Sequence, residues 1–191
     1  LAEHLELPVY YEPVGDNEYL EDFYRDTAAY AFQTQIYLLT RRFRQHQEII
    51  WKGGGGVQDR TIYEDAIFAK TLVNAGLMDE RDYRTYLELF RQMNNFMCRQ
   101  SVIVYLDLSP ETSMERIQMR SRGVESGITM EYLRGLHAEY ESFIGEISRS
   151  VPVIRVSWEK FRDASEMAEV IEREYLQGSF LREAKWDPAR S

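Results

Sequence analysis

Short apolar runs alternate with longer stretches of helical spacing along the whole chain, and this alternation limits the folds that the chain can adopt. The run Val102–Leu106, rich in β-branched residues, predicts the clearest buried strand. Similar runs over Leu7–Tyr11, Val57–Asp59 and Val151–Val156 predict three more strands. Strands that alternate with helices are typical of an α/β domain around a parallel sheet. With 191 residues, of which 44% are hydrophobic, the chain is long enough for one such domain.

Apolar residues at helical spacing fill the segments between these strands. We predict helices over Asp16–Ile50, Ile62–Ala75, Asp79–Met97, from Pro110 onward, and over Met130–Ser148 and Ala164–Leu176. The end of the chain, Gly178–Ser191, shows little pattern. We therefore expect a domain over residues 1–177, followed by a C-terminal tail over residues 178–191.

The charge and the single cysteine narrow the classes of partner. A formal net charge of -9 and a pI of about 5.0 argue against nucleic acid or an anionic membrane as the main partner. The basic residues nevertheless form two local clusters, Arg41, Arg42 and Arg44 and then Arg116, Arg120 and Arg122. Such clusters suit a small polyanionic ligand. The lone Cys98 excludes an internal disulfide, and no apolar stretch approaches the roughly 20 residues that cross a bilayer, so we expect no direct membrane insertion.

Two acidic motifs stand where predicted strands end. Glu12 in Glu12-Pro13-Val14 follows the first strand, and Asp59 in Asp59-Arg60-Thr61 closes the second. Ligands of parallel α/β sheets bind outside the carboxyl ends of the strands, so we expect both carboxylates in one cleft. A carboxylate that a nearby arginine keeps ionised can act as a general base. Taken alone, the first motif also fits a strand-ending turn, and the second fits an N-cap followed by a surface arginine.

In their order and spacing, the motifs of this chain resemble those of the deoxynucleoside kinase family. The resemblance rests on Glu12-Pro13-Val14, Tyr24-Arg25-Asp26, Asp59 through Asp65, Arg120-x-Arg122-x-x-Glu125 and Glu131-Tyr132-Leu133. It runs from Leu1 to about Leu176, and Asp16–Leu20 is most similar to the bacterial deoxyadenosine kinase branch. It implies a P-loop kinase-like parallel sheet flanked by helices. It also implies ATP-dependent phosphorylation of the 5′-hydroxyl of a deoxynucleoside, with purines preferred.

The resemblance implies which residues serve the phosphoryl transfer. Glu12 is the expected catalytic base, and Arg60 is expected to orient both Glu12 and the phosphate. Asp59 is expected to help hold Mg²⁺, for which carboxylate oxygens are suitable ligands. The expected phosphate-binding arginines, around a lid over residues 116–127, are Arg116, Arg120 and Arg122. For Arg116 and Arg120, ordinary salt bridges on a helix surface are the alternative.

The resemblance also implies which residues bind the deoxynucleoside. These are Gln35, Arg42, Asp65 and Phe68 for the base, and Tyr24 and Glu125, with Tyr132 in support, for the sugar 3′-hydroxyl. Gln33 competes with Gln35, but two residues that lie two apart on a helix point about 200° apart, and Gln35 shares its face with Arg42. Arg42 could instead belong to a solvated arginine face, and Tyr24 could be a core aromatic.

A glycine-rich phosphate loop of the form Gly-x-x-x-x-Gly-Lys-Ser/Thr does not occur in this sequence. Gly53–Gly56 is no substitute, because no Lys-Ser/Thr follows it and it precedes a strand rather than a helix. In the family, this loop and the first, central strand come before a sequence like Leu1–Leu5. We therefore expect that this chain lacks that strand, that the natural protein carries it upstream, and that the chain by itself is inactive.

Two other functions remain as alternatives. One is a non-catalytic, kinase-like scaffold subunit of a larger assembly, similar to the accessory subunit of mitochondrial complex I. The other, a nucleotide kinase such as thymidylate kinase, ranks last because Tyr24 and Glu125 look placed for a sugar hydroxyl. For a kinase we expect a homodimer, and a cytoplasmic or a mitochondrial location.

Overall fold

The computed structural model describes residues 1–12, 16–120, 128–160 and 163–177, and its elements follow the predicted α/β order. The elements are β1 (Val9–Tyr10), α1 (Leu20–Arg25), α2 (Thr27–Lys52), β2 (Val57–Gln58), α3 (Ile62–Asn74), α4 (Glu80–Asn94), β3 (Ile103–Asp107), α5 (Pro110–Arg120), α6 (Met130–Ile147), β4 (Val153–Ser157) and α7 (Ala164–Gln177). The predicted α/β class is confirmed. The expected tail over residues 178–191 lies outside the described residues.

The four strands form two parallel pairs. Val9 of β1 lies opposite Val57 of β2, and Ile103 of β3 lies opposite Val153 of β4. Within the described part of the chain, no hydrogen bonds join the two pairs into one sheet. β1 is shorter than the predicted run, since Pro8 has no N–H to donate to a ladder. The two pairs instead face a common cavity, described below.

The predicted helix over Asp16–Ile50 is wrong in one respect, because the structure divides it into α1 and α2. Asp26 separates them with non-helical dihedrals, φ −144° and ψ 81°. Its side chain accepts a hydrogen bond from the N–H of Ala29 at 3.1 Å, so Asp26 is the N-cap of α2. The break lets the short α1 pack against α2 and bring Tyr24 to the cavity wall.

The main hydrophobic core lies where α2, α3 and α4 pack together. Its fully buried members are Ala31, Leu39, Ile62, Ala69, Leu72, Met78 and Tyr86. A second cluster joins Val156 of β4 to Met167 and Ile171 of α7. The first core fixes one face of α2 and thereby positions the polar residues that continue this face. None of the helices within the described ranges combines the length and the low polarity that a membrane span requires.

Candidate active site

A cavity of about 1010 Å³ opens where β1 and β2 end and extends to β3, α5 and α6. All predicted site residues that the structure describes line this cavity: Glu12, Tyr24, Gln35, Arg42, Asp59, Arg60, Asp65, Phe68, Arg116, Arg120 and Tyr132. Arg122 and Glu125, together with most of the predicted lid, lie outside the described residues. The fold therefore brings residues from five helices, and from the loops that follow β1 and β2, to one place.

The guanidinium of Arg42 lies at the centre of the cavity wall. Its side chain is 1% exposed, and its Nε and Nη2 donate to Asp65 Oδ1 and Glu12 Oε1, both at 2.7 Å. Its Nη1 donates to the backbone carbonyl of Asp59 at 3.2 Å. One buried cation therefore joins the predicted base-binding carboxylate to the predicted catalytic carboxylate. The alternative that Arg42 belongs to a solvated face is excluded.

Helix periodicity explains why α2 can place this arginine. Gln35, Leu39, Arg42 and His46 recur at intervals of three and four residues, and all four are buried. Gln33 is exposed on another face. This buried face of α2 begins in the core at Ala31 and becomes polar where it passes the cavity.

Burial and charge shift the pKa of Asp65. Burial raises it to about 7, and the opposing effect of Arg42 is too small to cancel that rise. The second cavity carboxylate, Glu12, is 21% exposed and is contacted by two guanidinium groups, those of Arg42 at 2.7 Å and Arg60 at 3.3 Å. The geometry of Glu12 therefore suits a group that accepts a proton from the cavity.

Arg60 adopts a backbone conformation that is rare for a residue with a side chain. Its φ of 65° is left-handed, at the turn between β2 and α3. Its guanidinium lies over the ring of Phe68, 4.8 Å from the centroid. Burial lowers the pKa of Arg60, but nearby acidic groups, Glu12 first among them, more than offset this effect and raise it. Phe68 therefore has one face against a cation, and only its remaining surface is available for the predicted stacking on a base.

Several buried polar atoms on the cavity wall have no hydrogen-bond partner within the described residues. Among them are Gln35 Oε1, Asp65 Oδ2, Thr34 Oγ1 and Asn17 Nδ2. Buried polar atoms in folded proteins are nearly always paired, so these atoms mark where a ligand or ordered water supplies partners. Asn17 and Thr34 were not among the predicted site residues. Thr34 forms part of no motif, and Asn17 lies in the Asp16–Leu20 segment, which served only to compare branches of the family.

The opposite side of the cavity carries the predicted phosphate-binding arginines. Arg116 Nη2 donates to the carbonyls of Trp158 at 2.6 Å and Glu159 at 3.3 Å, so this side chain ties α5 to the end of β4. Arg120 is exposed in the last turn of α5.

Tyr132 is the third residue of α6. Its backbone N–H donates to Oγ1 of Thr129, the N-cap of α6, at 3.1 Å. Burial raises the pKa of the Tyr132 hydroxyl, and the neighbouring Tyr24 adds to the rise while Arg60 opposes it. The two tyrosines that were predicted to serve the sugar therefore lie near each other and near Arg60.

The structure also contains a group of potential metal ligands that motif analysis did not identify. One donor atom from each of Asp107, His137 and Glu141 lies within 4.8 Å of the others. Arg155 forms ion pairs with both carboxylates of this group, at 3.4 Å to Asp107 and also to Glu141. Because Arg155 already pairs with both carboxylates, we interpret the cluster as an ion-pair network between β3, β4 and α6.

A parallel α/β fold whose cavity gathers carboxylates, arginines and unpaired buried polar atoms is typical of an enzyme that transfers a phosphoryl group to a small polar substrate. The deoxynucleoside kinase family model matches residues 1–177, and the chain belongs to that family. As a member of it, the chain is a phosphotransferase that phosphorylates a deoxynucleoside with ATP as donor. The resemblance read from the motifs is confirmed.

Individual relatives place the chain near the deoxyadenosine kinase branch. It is 51% identical over 181 residues to the deoxyadenosine kinase of Dictyostelium discoideum, covering 95% of this chain and 74% of the relative. It is 37% identical to the deoxyadenosine/deoxycytidine kinase of Bacillus subtilis, covering 84% of this chain and 75% of the relative. The solved structure of M. mycoides deoxyadenosine kinase with dCMP and dCDP bound superposes with a TM-score of 0.80 at 30% identity, covering 92% of this chain and 89% of that chain.

Proposed function

We propose that this kinase prefers purine deoxynucleosides, deoxyadenosine or deoxyguanosine first and deoxycytidine next. The observation that separates the amine-bearing bases from thymine is the pair of unsatisfied acceptors, Gln35 Oε1 and Asp65 Oδ2, on one buried wall. Two acceptors require donor hydrogens from the ligand, and an unpaired buried acceptor costs about 1–3 kcal/mol. Adenine, guanine and cytosine each carry an exocyclic amine with two hydrogens, whereas thymine offers a single N–H. The names of the relatives above also support purine use.

For the transfer itself, Glu12 accepts the proton of the 5′-hydroxyl and Arg60 orients both Glu12 and the phosphate. Glu12 suits this role because it is partly exposed to the cavity and held by two guanidinium groups. Arg60 suits its role because a planar guanidinium stays charged and can pair with a phosphate oxygen. Arg120, Arg122 and Arg116 complete the positive charge on the phosphate side.

We assign Asp59 as the residue that helps to hold Mg²⁺, which would neutralise charge on the ATP phosphates when bound. Two backbone contacts fix this residue: its N–H donates to the carbonyl of Tyr10 at 2.9 Å, and its carbonyl accepts from Arg42. Its carboxylate is exposed in the cavity. A single fixed carboxylate fits Mg²⁺, which proteins usually bind through one or two carboxylates together with substrate phosphates.

Tyr24 and Glu125, with Tyr132 in support, are assigned to the 3′-hydroxyl of the sugar, and residues 116–127 to a lid within a kinase domain over residues 1–177. The kinase forms a homodimer in this proposal, and the outer side of α2 offers an aromatic surface for it. A groove of about 340 Å³ there includes Tyr19 and Tyr37. The compartment is the cytosol or the mitochondrion, since Cys98 is a free, exposed thiol. The scaffold alternative gains no support, since the relatives reported above are all named as kinases.

The experiment that tests this function is ATP-dependent phosphorylation of the four deoxynucleosides by the full-length gene product. The Glu12→Gln variant should lose roughly 10²–10⁴-fold in kcat, because it removes the proton acceptor while keeping the size of the side chain. Glu48→Gln is the matched control, since Glu48 lies on the surface of α2 in ion pairs with Arg44 and Lys52. If thymidine were the best substrate, the proposed preference for purine nucleobases would be refuted. Equal activity of Glu12→Gln and the wild type would refute the assignment of the base catalyst.

A further inference from the structure

The turn that carries Arg60 is held in place by a residue from a distant helix. Arg60 has a left-handed φ of 65°, a strained conformation that persists only where neighbouring structure enforces it. The next residue, Thr61, donates its backbone N–H to Glu64 Oε1 at 2.9 Å. This contact is half of a capping box and fixes the first turn of α3 immediately after Arg60.

The capping carboxylate is itself anchored from α6. Glu64 Oε2 accepts a hydrogen bond from the hydroxyl of Tyr140 at 2.8 Å. Burial, together with the charge of Glu64, raises the pKa of Tyr140, so the hydroxyl keeps its proton and remains a donor at any physiological pH. A hydrogen bond to a charged acceptor is among the stronger ones in proteins.

Two aromatic contacts fix the ring of Tyr140. Phe68 meets it edge-on, with centroids 6.2 Å apart, and Tyr105 of β3 stacks on it at 6.0 Å and 13° between planes. Phe68 is also the ring beneath the guanidinium of Arg60. Tyr140 therefore reaches Arg60 by two routes, through the carboxylate of Glu64 to the backbone and through the ring of Phe68 to the side chain.

We propose that Tyr140 is a positioning residue for Arg60, acting through Glu64 and Phe68, and that its hydroxyl sets the orientation in which Arg60 meets Glu12 and the phosphate. This inference rests on the proposed role of Arg60. It links α6, the helix that follows the predicted lid, to the phosphoryl-transfer end of the cavity. The Tyr140 hydroxyl contacts Glu64, which is assigned to neither the base nor the sugar, and its removal leaves the ring in place against Phe68. Loss of the hydroxyl should therefore change kcat rather than nucleoside KM.

The test compares Tyr140→Phe with Tyr105→Phe in the full-length gene product. Both variants remove one hydroxyl from a stacked ring, but that of Tyr105 faces Glu141 at 3.5 Å rather than Glu64. We expect Tyr140→Phe to lower kcat roughly tenfold and to leave nucleoside KM within about twofold, and Tyr105→Phe to change neither. Glu64→Gln keeps the size of the side chain but replaces the charged acceptor of the Tyr140 hydroxyl with a neutral amide, so it should lower kcat less than Tyr140→Phe does, and the two losses should not add.

Two further readouts separate positioning from general damage to the fold. In an Arg60→Lys background, Tyr140→Phe should not lower kcat any further. An undiminished loss of kcat in that background would overturn the proposal. Equal effects of Tyr140→Phe and Tyr105→Phe on kcat would overturn it as well. The side-chain Nε–Hε NMR signal of Arg60 can be assigned by its loss in Arg60→Lys. This signal should shift or broaden in Tyr140→Phe but not in Tyr105→Phe. An unchanged signal would also overturn the proposal. This NMR signal can be measured without enzymatic activity. An inactive wild type would therefore refute the proposed function, and the signal would still show whether Tyr140 positions Arg60.

Discussion

Replacing Arg42 with methionine should expose how much of the stability depends on one buried cation. The side chains of Arg42 and Asp65 are 1% and 2% exposed, whereas that of Glu12 is 21% exposed. The Arg42→Met variant leaves Asp65 buried without its cation, which typically costs about 3–5 kcal/mol. Glu12 adds at most about 1 kcal/mol, because it can be hydrated and keeps its contact with Arg60. We therefore expect the loss to come mainly from Asp65.

The loss should depend on pH, because burial raises the pKa of Asp65 to about 7 even with Arg42 in place. The folded pKa lies above the unfolded one, so the folded state holds the proton more tightly, and stability falls as the pH rises toward about 7. Below that value Asp65 is protonated in both proteins. The difference between variant and wild type should therefore shrink by up to about 1.4 kcal/mol per pH unit as the pH falls toward about 7, and stay level below that value.

Thermal unfolding followed by circular dichroism, at about pH 8.5 and about pH 6, measures this effect. For a chain of this length each kcal/mol shifts Tm by about 2–4 °C, so the higher pH should show a loss of roughly 6–20 °C. Arg41→Met is the matched control: Arg41 lies over the ring of Tyr37 at 5.1 Å, a partly exposed contact worth about 0.5–1 kcal/mol.

Adding Asp65→Asn to Arg42→Met removes the uncompensated charge and should return at least part of the lost stability. Two results would refute the reasoning. One is an Arg42→Met variant no less stable than Arg41→Met. The other is a loss in Arg42→Met that is the same at both pH values, since it would show that Asp65 does not carry the cost.

Two further predictions concern stability away from the cavity. Gly76 ends α3 with φ +70° and open space around its Cβ position, so Gly76→Ala should cost about 1 kcal/mol from backbone strain alone. Gly135→Ala, inside α6 and equally uncrowded, should gain about 0.5–1 kcal/mol in urea unfolding, and a loss there would contradict the helix assignment. His46 Nε2 accepts from the N–H of Cys98 at 3.1 Å, and burial lowers the pKa of His46 below its ordinary 6.5. The stability that the neutral His46 contributes is complete above pH 6.5 and is lost as the pH falls through the folded pKa. The urea midpoint of the wild type should therefore fall more on acidification than that of His46→Gln.

Local sequence signals were sufficient for most elements of the fold. The β-branched run at Val102–Leu106 appears as β3 over Ile103–Asp107, because such residues fit a half-buried pleated surface whatever their neighbours. The break at Asp26 was missed because the apolar spacing continues on both sides of it. Whether an aspartate caps a new helix or lies within a longer one depends on packing, which periodicity does not report.

The site was predictable as a set of residues but not as a set of contacts. Helical geometry separates Gln35 from Gln33, and the structure buries the first and exposes the second. The Thr61-x-x-Glu64 capping box is also readable from sequence, although it was not used. The contact between Arg42 and Glu12 was not readable, because it depends on how α2 lies against the end of β1. Sequence spacing says nothing about that angle.

That contact ties base recognition to phosphoryl transfer. Arg42 donates to Asp65 on the base side and to Glu12 on the transfer side, so any change in the charge of Asp65 alters how strongly Arg42 holds Glu12. When Asp65 is protonated, the guanidinium of Arg42 pairs with only one charged group, Glu12. When Asp65 is ionised, the two carboxylates share this guanidinium. A ligand group that pairs with Asp65 Oδ2 must therefore also change the free energy of the ionised Glu12, and by linkage the reverse holds. A base that leaves Asp65 Oδ2 unpaired would thus be penalised in binding, and it would also change the share of the Arg42 cation that Glu12 receives.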